Sequence, residues 1–367
     1  MSGKSLRRSI EVEYWVIDAD GRLVEPGDLV NASPGVEREF VEPLLEIKTT
    51  PCETTRALRR ELFERVGAVL REAERSGKHL VPLATPIREG VIRDLPSERT
   101  RIQDRILGDD FEYVRHCAGT HVHVEQSPGD EIDQLNTLIA LDPALALVNS
   151  SPYFQGRRLA VGARSKLYRW LAYDDLSHQG RLWRYLNERG QWTRRLERRY
   201  EEFERAAREA GVDRRAVQAN FDPESAVWTP VQLRDTFGTV EWRSPDTALP
   251  SQVVRLAEDV AAVATSAATA DVRIDGDAGR VTDEEIVLPT FDTVIEHVNT
   301  AIREGLESQS VRSYLERMGF DIAAYEPLAH EIDGEGPITP EQARIRRLEQ
   351  ADRLERDVRQ TQSLGDD

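Results

Sequence analysis

Four short segments of this chain alternate polar and apolar side chains, and this alternation constrains its fold more than any other feature. Successive side chains of a β-strand point to opposite faces, so each segment predicts a strand with one polar and one apolar face. The segments are SIEVEYWVID (9–18), LLEIKTTP (44–51), AGTHVHVEQ (118–126) and GTVEWRSPD (238–246). We therefore expect a sheet that buries one face against helices.

Helical periodicity separates these predicted strands. Residues 54–77 carry apolar side chains at helical spacing and end in glycine, which predicts a helix. Residues 130–152 predict two helical pieces joined at Asp142–Pro143, and residues 251–271 predict a buried helix that is apolar nearly all round. Because long helical insertions interrupt the strands irregularly, an α+β domain is favoured over a regular parallel β/α array.

The length of 367 residues suffices for one large domain with a sizeable core. We expect residues 1–335 to form a single catalytic domain. Residues 336–367 are expected to form a charged C-terminal helical tail, with the helix running from Pro340 onward.

Composition and charge restrict the partners that this chain can have. The formal net charge of −17 disfavours binding to nucleic acid or to an anionic membrane surface. No apolar run approaches the roughly 20 residues that span a bilayer, and the N-terminus lacks the apolar region of a secretory signal. With only Cys52 and Cys117, a disulfide framework is not expected. These features predict a soluble protein of the reducing cytoplasm.

The polar faces of the four predicted strands carry the residues that are best suited to bind ligands or act in catalysis. They are Glu11 and Glu13, Glu46 and Lys48, His121, His123 and Glu125, and Glu241 and Arg243. If these strands share a sheet, the acids converge and repel one another, for which bound divalent cations are the usual remedy. Ligation dominated by oxygen suits Mg²⁺ or Mn²⁺ better than Zn²⁺, and the phosphates of a nucleotide would complete the coordination.

Two other interpretations of these faces remain open. Acidic residues on alternating strands also suit the solvated side of an antiparallel sheet. The pair His121-x-His123 could bind zinc, as in metal-dependent hydrolases. We disfavour zinc because the remaining candidate ligands are glutamates, and we expect one metal-binding histidine, His121, with His123 as its supporting neighbour.

Five motifs also occur in the order found in a known family. EVEYW, LLEIKTTP, AGTHVHVEQ, NSSPYFQGR…GARS and GTVEWRSPD together resemble the glutamate–cysteine ligase type 2 family, and most of all its archaeal-type members. The resemblance covers roughly residues 8 to 300. It implies a fold similar to glutamine synthetase, with a curved, mostly antiparallel sheet forming a funnel, helices packed outside, and ATP and metal ions inside.

The resemblance also assigns roles to individual residues. It implies that Mg²⁺, or alternatively Mn²⁺, is bound by Glu11, Glu13, Glu46, His121 and Glu241. It further implies that Arg164 and Arg243 meet the ATP phosphates and act in catalysis. Lys48, on the same predicted face as Glu46, is a further candidate contact of the nucleotide.

The activity implied by the resemblance is ATP-dependent ligation of the γ-carboxylate of glutamate to the amine of cysteine through γ-glutamyl phosphate. Glutamate, cysteine and ATP would then be the small-molecule partners. The sequence leaves open another amine acceptor, a metal-dependent hydrolase that uses the H-x-H strand, a sheet-based binding protein without catalysis, and a homo-oligomer.

Overall fold

The computed structural model contains the strands that the sequence predicts. It describes residues 6–173, 176–282, 284–334 and 336–364. Its strands are β1 (Arg8–Asp18), β2 (Val36–Arg38), β3 (Leu44–Lys48), β4 (Lys78–Val81), β5 (Thr120–Glu125), β6 (Tyr153–Phe154), β7 (Arg157–Arg158), β8 (Val231–Arg234), β9 (Thr239–Trp242), β10 (Asp271–Ile274), β11 (Arg280–Val281) and β12 (Glu285–Leu288).

The helices surround these strands. They are α1 (Thr55–Ser76), α2 (Glu98–Leu107), α3 (Glu112–Arg115), α4 (Glu131–Leu141), α5 (Ala163–Lys166), α6 (Arg189–Glu209), α7 (Arg214–Asn220), α8 (Pro223–Ala226), α9 (Pro250–Ser266), α10 (Phe291–Glu304), α11 (Gln309–Arg317), α12 (Ala329–Ile332) and α13 (Pro340–Leu364). A 3₁₀ segment, Asp142–Val148, continues α4, and a π-helical turn, Leu167–Leu171, follows α5.

One large sheet organises the molecule. Among the described residues, seven strands join it in the order β2-β3-β1-β5-β9-β8, with β4 also pairing with β1. Every pairing within this sheet is antiparallel. The predicted α+β class with a mostly antiparallel sheet is therefore confirmed.

The apolar face of this sheet forms the centre of the core. Ile10, Val12, Val122 and Val240 are fully buried. Helices α1 and α9 pack against β1, and α4 packs against β8 and β9. Burial of alternate side chains fixes the register, because a slip of one residue would turn the acids of β1 into this core.

Local signals in the sequence define the first helix as predicted. The side chain of Thr54 accepts a hydrogen bond from the Ala57 backbone at the start of α1. Gly77 ends the helix with a positive φ of 66°, a conformation that favours glycine. The buried helix α9 is shorter than predicted: it ends at Ser266, and Asp271 already belongs to β10 because the chain turns there into a small three-stranded sheet.

The C-terminal helix α13 is confirmed as a helix from Pro340. It packs against β4, α1 and α9, and its residues Ala351, Leu354 and Val358 are buried in the same core as the sheet. The division of the chain into a domain and a tail stays a prediction. None of the helices that the structure describes is both long and apolar enough to span a membrane.

Candidate active site

The polar face of the sheet brings most of the predicted site residues side by side. In the register of β1 with β3, Glu13 pairs with Glu46 and Glu11 pairs with Lys48. Glu11 also lies opposite His121 on β5, and His123 lies opposite Glu241 on β9. Residues from four strands that are distant in sequence therefore meet on one surface.

Three overlapping groups of side chains on this surface could each hold a metal ion. In each group the candidate ligand atoms lie within 4.8 Å of one another. The groups are Glu11, His123 and Glu241; Glu11, Glu46 and His121; and Glu13, Glu39 and Glu46. Glu11 and Glu46 each belong to two groups, so neighbouring ions would share carboxylate ligands.

The two histidines lie near different carboxylate oxygens of Glu11. His121 Nδ1 lies 3.0 Å from Glu11 Oε2 and 3.6 Å from Glu241 Oε1. His123 Nε2 lies 3.6 Å from both Glu11 Oε1 and Glu241 Oε1, while its Nδ1 lies 3.1 Å from Thr239 Oγ1. Burial opposes the charge on Glu11, but the interactions with His121 and His123 outweigh burial and hold the pKa of Glu11 well below its usual range.

Glu241 is an almost fully buried carboxylate that the protein itself neutralises. Its Oε2 accepts hydrogen bonds from Gln232 Nε2 at 2.8 Å and from Arg234 Nη1 at 3.0 Å, and Arg243 Nε lies 3.5 Å from Oε1. Burial alone would raise its pKa. Arg243 and the two histidines more than offset that effect and lower the pKa of Glu241 to about 2.

Glu39 and Glu46 are in the opposite situation, because carboxylates crowd there with too little positive charge. Burial and the charge of Glu13 raise the pKa of Glu39 to about 8. Burial and the charge of Glu39 raise the pKa of Glu46 well above its usual value, although Lys48 Nζ lies 2.8 Å from Glu46 Oε2. Lys48 alone does not balance the negative charge at this end of the cluster.

These donors fit divalent cations that prefer oxygen. Carboxylates outnumber imidazoles in each of the three groups, as suits Mg²⁺ or Mn²⁺. His123 Nε2 is buried and has no hydrogen-bond partner. Coordination to a metal ion would satisfy this nitrogen. His121 and His123 fall into different groups, so the H-x-H pair does not form a single zinc site in this geometry.

A cavity of about 250 Å³ opens beside this cluster and is lined by two chemically different sets of residues. Glu11, Glu13, Glu39, Glu46 and His121 form the first set. The second set consists of arginines and aromatic rings, namely Arg99, Arg234, Arg243, Phe111, Tyr168, Tyr173 and Trp228. The cavity can therefore hold an anionic ligand between cations while contacting an apolar group on the aromatic wall.

Arg243 enters the cavity because both of its neighbours are fixed on the opposite face of β9. Trp242 Nε1 donates to Asp142 Oδ1 at 2.9 Å, and Ser244 Oγ also bonds to Asp142. Arg169 Nη2 lies 2.8 Å from both Asp142 Oδ2 and Ser244 Oγ. Because side chains alternate along a strand, holding residues 242 and 244 directs Arg243 into the cavity.

Arg164 does not line this cavity, although the sequence predicts that it contacts phosphate. Its guanidinium is buried and donates to the backbone carbonyls of Arg243, Ser244 and Pro245 at 3.1–3.3 Å. It also occupies the space beside Gly119, where a Cβ atom would lie 2.2 Å from Nη2. Contact of Arg164 with phosphate stays a prediction, and the geometry suits support of the Arg243 backbone.

Three residues of the cluster have positions that sequence reasoning did not assign. Glu39 follows β2, which is too short to show alternation, and Arg234 lies in VQLR, whose alternation followed by a turn could have indicated a hairpin with β9. His123 is expected as a supporting neighbour of His121, but it stands in a ligand group of its own.

The sequence matches one protein family along nearly its whole length. The model of Glutamate-cysteine ligase family 2 (GCS2) matches residues 10–363. A protein of Chloroflexus aggregans provisionally named glutamate–cysteine ligase 2 is 27% identical over 186 residues. That alignment covers 47% of this chain and 45% of the relative, so the chain matches less than half of the relative's length.

Two solved structures are similar in fold. Glutamate–cysteine ligase from Francisella tularensis in complex with AMP has a TM-score of 0.58 and 13% identity, covering 97% of this chain and 89% of that one. A bifunctional glutathione synthetase from Pasteurella multocida has a TM-score of 0.56 and 16% identity, covering 97% of this chain and 53% of that one. At these identities the similarity shows the fold alone.

Proposed function

The chain belongs to glutamate-cysteine ligase family 2, and from this premise we propose that it joins the γ-carboxylate of L-glutamate to the amine of L-cysteine. ATP would supply the energy, and the products would be γ-glutamylcysteine, ADP and phosphate. One observation carries the proposal: three ligand groups that share Glu11 and Glu46 adjoin a cavity lined by arginines. That combination suits a polyphosphate held between metal ions and guanidinium groups.

The metal-binding residues in this proposal are all on the polar face of the sheet. They are Glu11, Glu13, Glu39, Glu46, His121, His123 and Glu241. Bound Mg²⁺, or Mn²⁺, would offset the negative charge of the phosphates and of the carboxylate that attacks them. The high pKa of Glu39 and Glu46 supports this assignment, because it marks a local deficit of positive charge.

Arg243 is proposed to stabilise the phosphoryl group during its transfer. Although burial opposes its charge, Glu241 and Glu11 raise the pKa of the guanidinium, so it stays protonated. Arg234 approaches the carboxylate of Glu241 from β8. Phosphoryl transfer depends mainly on positioning and on electrostatic stabilisation, which fixed guanidinium groups provide. Lys48 is engaged by Glu46 and Glu37 and is proposed as a nucleotide contact through its remaining donor.

The reaction requires no nucleophile from the protein. A γ-carboxylate oxygen of glutamate attacks the terminal phosphorus of ATP as the bond to ADP breaks, which gives γ-glutamyl phosphate. The amine then forms the C–N bond, phosphate leaves with that oxygen, and the amine proton passes to solvent. The cavity walls formed by Tyr168, Tyr173 and Trp228 would limit the access of water to the acyl phosphate.

A different amine acceptor is a second candidate because of the aromatic wall. Tyr168 and Trp228 pack with ring centroids 4.4 Å apart and ring planes tilted by 34°, and the guanidinium of Arg243 lies 5.4 Å from the Trp228 centroid. This surface offers contact area for an acceptor with a larger apolar side chain than that of cysteine.

Formation of ADP tests the proposal. With ATP, Mg²⁺ and glutamate, ADP should form only when a suitable amine is added, and cysteine should give the highest kcat/KM within a panel of amino acids. A higher kcat/KM with an apolar amino acid would select the second candidate. Absence of ADP with every amine, or the same rate without glutamate, would contradict ligation.

A further inference from the structure

The chain between β4 and α2 contains a strained turn. Ile87 is buried and has a φ of 64°, a value that is rare for a residue branched at Cβ. The backbone N–H of Arg88 donates to the carbonyl of Pro86 at 2.7 Å, so these three residues form a γ-turn of the uncommon kind with a positive φ. Such a conformation persists only where the surrounding structure fixes it. Contacts from other parts of the fold must therefore hold this turn.

Arg347 of the C-terminal helix α13 supplies most of these contacts. Its side chain is 1% exposed, and its Nη1 donates to the carbonyls of Pro86 and Arg88 at 3.2 Å each. Its Nη2 donates to Glu89 Oε2 at 3.0 Å. The carbonyl of Ile87 accepts a hydrogen bond at 2.8 Å from the backbone between β6 and β7. All three carbonyls of the turn are thus bonded, two of them to one guanidinium.

The turn connects two edges of the candidate active site. Before the turn, the carbonyl of Ala84 accepts a hydrogen bond at 2.8 Å from the N–H of Ala118, which leads into β5. After the turn, the N–H of Leu95 donates to the carbonyl of Phe40 at 2.8 Å. Phe40 and its neighbour Glu39 line the cavity beside the carboxylate cluster. Because these contacts lie on either side of the turn, its conformation determines how the chain arrives beside Phe40.

Residues 94–115, which follow the turn, form one side of that cavity, and we call them the wall segment. Its two ends are held together by Asp94 and Arg115, whose Oδ2 and Nη1 atoms lie 3.4 Å apart. The apolar side chains that it contributes to the cavity pack with Tyr168 and Tyr173 in a small cluster of their own. The residues of the wall segment that line the cavity are Arg99, Gln103, Leu107, Phe111 and Val114. The aromatic side of the cavity is therefore complete only while the wall segment stays in place.

We propose that Arg347 is a positioning residue: by fixing the turn at Ile87, it holds the wall segment in place and keeps water from the acyl phosphate. This inference rests on the proposed function, because it takes γ-glutamyl phosphate to form in the cavity. If the wall segment shifts, water attacks the carbonyl carbon of γ-glutamyl phosphate, and the bond from that carbon to the bridging oxygen breaks. Phosphate leaves with the bridging oxygen, glutamate is regenerated, and a proton passes to solvent. ATP is then consumed without formation of an amide.

The ratio of ADP formed to amide formed measures this hydrolysis. With ATP, Mg²⁺, glutamate and cysteine, the unaltered protein should form one ADP for each amide. Arg347→Met keeps an unbranched side chain but removes the guanidinium, and it should raise the ratio to about two or more, because exclusion of water prevents hydrolysis of reactive intermediates. Arg347→Lys keeps a charge beside Glu89 without the planar fork, so an intermediate ratio is expected. The ratio does not depend on how much of the protein is folded, so a loss of stability alone leaves it at one.

Arg346→Met is the matched control. Arg346 is the preceding arginine of the same helix, is exposed, and donates to Glu349 one turn further along α13, so its loss should leave the ratio at one. A ratio of one in Arg347→Lys and in Arg347→Met would overturn the inference, as would an equal rise in Arg346→Met. If Arg347→Met does not fold, Arg347→Lys decides alone. An unaltered protein that forms no amide with any amine would instead contradict the proposed function.

Discussion

The two ends of the carboxylate cluster contain the same residue type in opposite electrostatic states. At one end, burial and neighbouring carboxylates raise the pKa of Glu39 to about 8. At the other end, Arg243, His123 and His121 overcome burial and lower the pKa of Glu241 to about 2. Both glutamates line the same polar face of one sheet, so the difference comes from what surrounds each carboxylate.

The comparison shows how the site divides its charges. Glu241 is neutralised by two arginines of the protein itself, Arg234 in β8 and Arg243 directly after β9. Glu39 and Glu46 have Lys48 as a nearby cation, and it cannot balance the whole group. The end that carries arginines is neutralised by the protein itself, whereas we propose that cations from solution complete the acidic end. Glu11 connects the two ends of the cluster, because it belongs to one ligand group with Glu241 and to another with Glu46.

The largest effect is expected where the two ends meet. Glu11→Gln removes a charged ligand from two groups at once. Even partners outside the direct ligands cost about 10- to 100-fold when they are lost, so turnover of this variant should fall by more than about a hundredfold. Steady-state ADP formation measures the loss. Activity within threefold of the unaltered protein would remove Glu11 from the site.

Removal of one carboxylate from each end should change stability in opposite directions. Glu241→Gln leaves Arg234 and Arg243 without their buried partner and should destabilise the protein by about 3 kcal/mol. Glu39→Gln relieves repulsion and should stabilise the metal-free protein by about 1 kcal/mol. Urea unfolding in EDTA measures both. A loss of stability in both variants would contradict an excess of negative charge at the end of the cluster that contains Glu39.

The acidic end should also make stability depend on pH in the absence of metal ions. The pKa of Glu39 is raised above its unfolded value, so the folded state binds more protons between pH 4.5 and 8. Stability is then fully present below pH 4.5 and is lost as pH rises through 8, by about 2 kcal/mol after discounting partial exposure. Unfolding at several pH values with EDTA checks this loss. Mg²⁺ should suppress it, and an identical profile with Mg²⁺ would contradict a metal site there.

Arg243→Lys tests whether the basic end acts through shape as well as charge. A lysine keeps the positive charge but loses the planar fork that can contact two oxygens at once. We expect kcat to fall about tenfold with little change in the KM of the amine. Activity equal to that of the unaltered protein would mean that Arg243 contributes only its positive charge.

The smallest expected effect concerns the positioning of Arg243. Ser244→Ala removes the hydroxyl that connects Asp142 and Arg169 to the segment that follows β9. Because this acts only through the orientation of Arg243, kcat should fall about threefold, and the same change should add little in an Arg243→Lys background. Additive losses in the double variant would mean that Ser244 acts independently of Arg243.

The sequence predicts the strands and their faces because alternation depends only on neighbours along the chain. Glu11, Glu13, Glu46, His121 and Glu241 were found in this way, and the structure brings all five onto one surface. Their grouping could not be derived, because sheet order does not follow chain order.

The residues that sequence reasoning missed depend on contacts between distant segments. Glu39 reaches the cluster through the pairing of the three-residue strand β2 with β3, and no periodic pattern is visible in so short a strand. Arg164 is a different case, and its contact with phosphate stays a prediction. Its motif indicates an arginine near the site, but only the fold reveals that the guanidinium lies against the backbone carbonyls of β9 and the residues that follow it.

Transfer of an oxygen atom from glutamate to phosphate tests ligation through γ-glutamyl phosphate most directly. Glutamate labelled with ¹⁸O in its γ-carboxylate is turned over with ATP, Mg²⁺ and cysteine, and the released phosphate is examined by mass spectrometry. If the carboxylate attacks the terminal phosphorus, each phosphate released should contain one ¹⁸O from glutamate. Phosphate without the label, formed at the same rate as ADP, would contradict the proposed reaction.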